Sequence, residues 1–339
     1  MLAILTTSCK ASRAEAPIPG PPPLHLLPLT DLTPAAGLVW LIEARPREIA
    51  ENAALIPALA EVVPEARMQS FAERNGGVDV RAMDALVVAE YAETTLILTH
   101  QVFNPARVEA AFAHRAIHVD GRGLDQTSED PRGSITRVWG SDANGRIELA
   151  MFGHESVGVE MGRFGPLRAA ELFAQGKLKR AAPALRREPL LRAATLLGDG
   201  VVRAFAPGPF TDDWEKGLGG LLGASTAAAL TVRAASAAPV STPSSNVNQT
   251  SLPTLAFTFL LLGAWGDDAY RAGQRLLVEF DIVAATSIGR LVGMDHPTQG
   301  PTLHALPDAL SVEFALDALT FAKGLHAATA ARVDEIMAP

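Results

Sequence analysis

The chain carries eight histidines and a single cysteine, Cys9, so imidazole or thiolate chemistry would rest on few residues. His114 and His118 stand four apart, a spacing that puts two metal ligands on one helix face. The helix holding His114 is expected to end near Arg115, which separates the pair. Asp120 is the nearest third ligand, and no metal site is assigned. His100 falls on an apolar strand face and reads first as a hydrogen-bonded core histidine. His154-Glu155 begins like a zinc-protease motif, but position 158 is Gly and the motif fails. Gly223-Ala-Ser225-Thr-Ala227 matches half of a nucleophile elbow, with Ala where the second glycine belongs. The glycines of 217–223 are misspaced for a dinucleotide fingerprint, and there is no P-loop. Asp120, Asp125, Glu129 and Asp130 fit no EF-hand loop and read as a solvated acidic stretch. What remains for catalysis is His100, His118 and Asp120, a hydrolase-type set only if the fold brings them into one cleft. No cofactor is implied.

The elements that would position these residues centre on 84–115. Residues 85–91 are rich in strand formers, Ala92-Glu93 can turn, and a second strand continues to Phe103. Along it Leu96, Leu98, His100 and Val102 share one face, and Ile97, Thr99, Gln101 and Phe103 the other. Asn104-Pro105 then opens a helix: Asn accepts from the first free amides and Pro is tolerated at the first helical position. Before this unit come a strand at 38–44, a helix over 47–63 that Pro57 kinks or divides, and a helix over 65–74 closed by Asn75-Gly76-Gly77. After it, 120–133 reads as a loop. A hairpin follows around Asp142-Ala-Asn144-Gly145, then a strand at 155–161 and a helix over 166–178.

The second half repeats the order. A strand at 201–205 leads to a helix capped by Thr211, which its glycines weaken. A strand pair, 226–235 and 255–265, encloses a Ser-, Pro- and Asn-rich loop at 236–251. One helix is expected from Asp267 to Leu291, about 36 Å long, burying Tyr270, Gly273, Leu277, Phe280, Ala284, Ile288 and Leu291. A strand near 310–316 and a helix near 320–337 close the chain. The fold class expected is α+β: two similar units of antiparallel sheet backed by helices, 37–192 and 193–339, behind a leading segment 1–36. A single larger sandwich of helices and sheet is the alternative.

Composition narrows the function. With 339 residues and 48% apolar content a substantial core forms. The net charge of −8 argues against a general nucleic-acid binder, which must neutralise phosphates. The basic run of 177–192 could meet anionic lipid or a partner, and reads first as a solvated helix face or an interdomain connector. One cysteine permits neither an internal disulfide nor a thiolate metal cluster.

Met1 to Cys9 is a short apolar run with small residues before the cysteine. It resembles the end of a bacterial lipoprotein signal peptide: Ser8 fits the position before the lipidated Cys, and Thr6 departs from the usual Leu. Seven prolines between Pro17 and Pro34 favour an extended tether of about 3.1 Å per residue. With its Ala/Arg-rich α+β body, the chain resembles the uncharacterised lipoproteins of GC-rich Gram-negative genomes. That resemblance implies lipidation at Cys9, a membrane anchor and a cell-envelope location, and no activity; without lipidation the location would be cytoplasmic. The expectation is a non-enzymatic binding or scaffolding protein with an unidentified protein or small-molecule partner, acting through a sheet face or the 236–251 loop. The alternatives are the hydrolase just described and a carrier holding a hydrophobic ligand between sheet and long helix.

Overall fold

In a computed structural model, the structure describes residues 23–126, 133–163, 165–178, 180–235 and 253–337. Cys9 and the 236–251 loop lie outside them. The fold is α+β, built on one 12-stranded antiparallel sheet in the order β11-β12-β10-β9-β8-β1-β2-β3-β7-β6-β5-β4.

The first half supplies β1 (Leu38–Ala44), α1 (Pro46–Glu51), α2 (Ile56–Val62), α3 (Glu65–Arg74), β2 (Ala85–Tyr91), β3 (Thr94–His100), α4 (Pro105–Arg115), β4 (His118–Gln126), β5 (Ile135–Asp142), β6 (Gly145–Phe152), β7 (Ser156–Gly162) and α5 (Pro166–Ala174). The second supplies α6 (Leu190–Leu197), β8 (Val202–Pro207), β9 (Ser225–Ala235), β10 (Thr254–Gly263), α7 (Ala269–Ala285), α8 (Ser287–Leu291), β11 (Gln299–Leu306), β12 (Ala309–Asp317) and α9 (Ala318–Met337). In each half a lone strand precedes a hairpin, a helix follows, and the last strand returns beside the second hairpin strand. The halves meet where β1 pairs antiparallel with β8, Leu41 opposite Phe205. The two units are therefore halves of one sheet, and one hydrophobic cluster crosses the junction from Leu98 through Leu41 and Phe205 to Leu260.

Local signals hold where they were strong. Asn104 Oδ1 accepts from the Arg107 amide at 3.3 Å and starts α4. The Asn144 amide donates to Asp142 Oδ1 at 2.8 Å and tightens the β5–β6 turn. Pro57 falls in the first turn of α2, after the break that ends α1.

Four expectations need correction. Residues 118–126 form an edge strand, β4, rather than a loop; its glycines and charges are the composition that keeps an edge from pairing further. The glycine-weakened helix after Thr211 is two 3-10 turns, Asp212–Trp214 and Gly217–Gly220, with Leu218 and Gly219 in the left-handed region. The long helix breaks at Thr286, whose hydroxyl accepts from the Gly289 amide at 3.0 Å and begins α8. Its buried stripe is Ala269, Ala272, Gly273, Leu276, Phe280 and Ala284, whereas Tyr270 and Ile288 are exposed. Small residues set that rotation: a Cβ on Gly273 would lie 2.8 Å from the Leu303 side chain, so α7 sits close on β11.

The two faces of the sheet are covered differently. On the closed face, α5, α6 and the 3-10 turn Leu29–Leu32 cover the central strands, and Leu41, Val87, Ala89 and Leu96 are fully buried. On the other face the helices stand at the sides. There α4 packs over β6 and β7 through Val108, Phe112, Met151 and Val157. α7 packs over β10 and β12, where Phe280 meets Phe314 edge-on at 4.8 Å and Phe257 stacks on Phe314 at 5.1 Å. Aromatic and aliphatic side chains of α7, β10 and β12 pack against one another in this contact.

Candidate functional site: an open apolar sheet face

Between the two helix groups, and short of the end where α2 and α9 pack on Ala234 and Leu255, the described residues leave one face of β3, β2, β1, β8 and β9 open at the middle of the sheet. Register places Val159, Ile97, Val88, Ile42, Ala204, Leu230, Phe259 and Val312 in a single cross-strand row on that face. Every member is apolar. At the middle of the row Ile42 is 37% exposed, and Ile97, Val88, Ala204 and Leu230 are half-buried. A neighbouring row brings Trp40 opposite Glu90, whose carboxylate accepts from the Thr95 hydroxyl at 2.7 Å. Such a face is built by period-two alternation, with both sets of side chains apolar.

One end of this floor meets a hood. Phe210, Trp214, Leu218 and Leu222 stand beside Ala206, Ala228 and Phe259 and line a shallow, open pocket of about 500 Å³. That size lies within the range of small-ligand sites. Trp214 is 70% exposed, a large apolar side chain at the mouth. Asp213 is the one carboxylate in the lining. The hood backbone is strained: Asp212 has φ 58° and Leu218 φ 53°, conformations costing on the order of 1–3 kcal/mol each. α7 holds it in place, since Arg275 donates to the Gly219 carbonyl at 2.6 Å. A Cβ on Gly219 would meet the Glu279 carboxylate at 2.4 Å.

The chemistry-bearing residues lie elsewhere. His118 Nε2 is 3.5 Å from Asp120 Oδ1 on the exposed edge strand β4. His100 ends β3, which β7, β6 and β5 separate from β4. Its Nδ1 is 2.8 Å from the Ser156 hydroxyl, a satisfied strand-end histidine. Fold and register thus bring His118 to Asp120 and leave His100 apart from both. No group of three or more His, Cys, Asp or Glu able to hold a metal occurs among the described residues.

Buried ionisable groups gather on the closed face instead. Glu160 and Glu171 are fully buried. Glu160 accepts from the amides of Gly165 at 3.0 Å and Leu167 at 2.5 Å, satisfying the first turn of α5. Burial raises its pKa above the usual carboxylate range, and Glu148, directly opposite on β6, adds to the shift. Arg137 Nε lies 3.4 Å from Glu171 Oε1, and Arg168 also pairs with Glu171. Burial likewise raises the Tyr91 pKa, and the Tyr91 hydroxyl donates to the Pro34 carbonyl at 2.9 Å. With α5 packed over it this set is structural: its carboxylates are occupied by a helix terminus and by arginines. The carboxylates could have been picked out in the sequence, since Glu148 and Glu160 interrupt apolar strands and Glu171 an apolar helix stripe.

Around the basic segment, Arg186 pairs with Asp31 at 2.8 Å and Arg192 with Asp308 at 3.0 Å, consistent with a connector. Among the described residues no helix is long and apolar enough to cross a membrane.

No protein-family model matches the chain, and no curated protein matches it. Among solved structures, crystal form III of TP0453 is similar at a TM-score of 0.46 and 11% identity, over 90% of this chain and 98% of that one. Crystal form IV gives 0.43 and 10%, over 85% and 94%. Likeness at this level says nothing of what the chain does.

Proposed function

We propose that the chain is a non-enzymatic binding protein of the cell envelope, tethered through Cys9, that takes a hydrophobic ligand on its open sheet face. The observation that carries the binding reading is the row through Ile97, Val88, Ile42, Ala204 and Leu230, apolar and uncovered at the middle of the sheet, running to the pocket beside Trp214. A patch of this kind marks an interaction surface or a ligand groove. Two things support binding over the hydrolase alternative: His100 is remote from His118 and Asp120, and the pocket lining is apolar but for Asp213. The carrier idea moves with the packing, from the contact beneath α7 to the open floor beside it. The tether rests on the Cys9 motif and its proline-rich spacer.

Titration with the apolar fluorophore N-phenylnaphthylamine tests the site. Saturable binding that Ile42→Asp and Trp214→Ala each weaken supports it; binding indifferent to both sinks it. Labelled palmitate incorporated by the wild type but not by Cys9→Ala supports the tether. A soluble, unlabelled protein in the native host ends that part of the reading.

A further inference from the structure

A second cleft lies outside the open face, between α3 and α4, with a volume of about 600 Å³. Its position follows from the turn Asn75-Gly76-Gly77. A Cβ on Gly76 would sit 2.6 Å from the backbone of Arg107, so only glycine lets the end of α3 seat against the start of α4. From that contact Phe71, Ala110 and Ala111 give the cleft an apolar floor. Around it stand Arg107, His114 and Arg115 from α4 and Arg74 from α3. Arg115 is oriented by the Asn75 side-chain oxygen. Among the described residues no side-chain partner engages Arg107 or His114. The one carboxylate of the lining, Glu73, accepts from Gln69 Nε2 at 3.1 Å. Three arginines and a histidine thus converge on one cleft of a chain whose net charge is −8.

We infer that this cleft binds a small organic anion with an apolar body, its acidic group held by Arg107 and Arg115 and its body on Phe71, Ala110 and Ala111. A guanidinium presents a planar fork of donors that matches carboxylate or phosphate. The apolar floor selects against a bare inorganic ion. The inference stands independently of the open-face reading, because the two sites share no residue.

Calorimetry on the purified chain with naphthoate, its neutral alcohol and inorganic phosphate tests it. Naphthoate is expected to bind saturably and more tightly than either of the others. Arg107→Glu is expected to weaken it about tenfold or more, the order of one lost charge-assisted hydrogen bond. Arg107 is exposed, so this variant should fold as the wild type does; Arg115→Glu serves as the second variant. Equal affinity for the neutral alcohol, tighter binding of phosphate, an unchanged affinity in Arg107→Glu, or no saturable binding of naphthoate would each overturn the inference.

Discussion

Leu41 and Ile42 are consecutive residues of one strand with nearly identical side chains, yet Leu41 is fully buried and Ile42 is 37% exposed. The difference comes from what lies over each face. Leu41 belongs to the cluster closed by α5, α6 and the Leu29–Leu32 turn. Ile42 lies in a row equally apolar, but the helices of its face stand over the flanking strands. Burial here is decided by the placement of helices rather than by the alternation within the strand. An apolar face left open at the centre of a sheet is available for a ligand, whereas one closed by helices contributes to stability.

The sharpest way to break this contrast is to truncate both residues. Leu41→Ala is expected to lower unfolding stability by about 2–5 kcal/mol. Ile42→Ala should cost about 1 kcal/mol, mostly strand preference. Urea unfolding of the two variants measures the gap; equal losses would mean that the second face is covered in solution. The next effect concerns binding. Trp214→Ala should reduce N-phenylnaphthylamine affinity by roughly two- to tenfold, as for one aromatic contact at the mouth of a pocket, and change stability by less than about 0.5 kcal/mol. A large stability loss would make Trp214 a core residue and weaken the contrast between the faces.

A third test sharpens the closed face through Glu160. Burial and the opposing Glu148 raise its folded pKa, so the folded chain keeps that proton to higher pH than the unfolded chain. The stability this supplies is complete below the ordinary glutamate value of about 4.3 and declines as pH rises through the raised folded value. Glu160→Gln removes the decline, so the difference between variant and wild-type stability curves should change across that window and level off above it. A constant offset at all pH values would show that the carboxyl titrates normally. The smallest effect is expected at the edge of the sheet. His118→Ala breaks an exposed contact with Asp120 and should alter stability by no more than about 0.5 kcal/mol.

Local chemistry made much of this molecule legible in its sequence. The 85–115 unit, the Asp142–Gly145 hairpin and the strand pair of β9 and β10 follow from alternation, turn residues and an Asn-Pro helix start, all settled within a few neighbouring residues. The apolar character of both strand faces was also readable: Leu41 and Ile42 are both apolar. Legibility failed where the deciding contact is distant in sequence. β4 is polar because it is an edge, and the α7 stripe is turned by Gly273 meeting Leu303. Neither the candidate pocket nor the cationic cleft carries a motif: Trp214, Leu218 and Phe259 meet only because α7 pins the hood against β8 to β10, and Arg74 joins Arg107 and Arg115 only because Gly76 lets α3 seat on α4. By itself the sequence determined the strands and helices that carry strong local signals and that no recognised catalytic motif is present, since those depend on backbone preference and short spacing. The tertiary structure alone decided that the two halves share one sheet and that one of its faces stays open, because coverage depends on where helices remote in the chain come to rest.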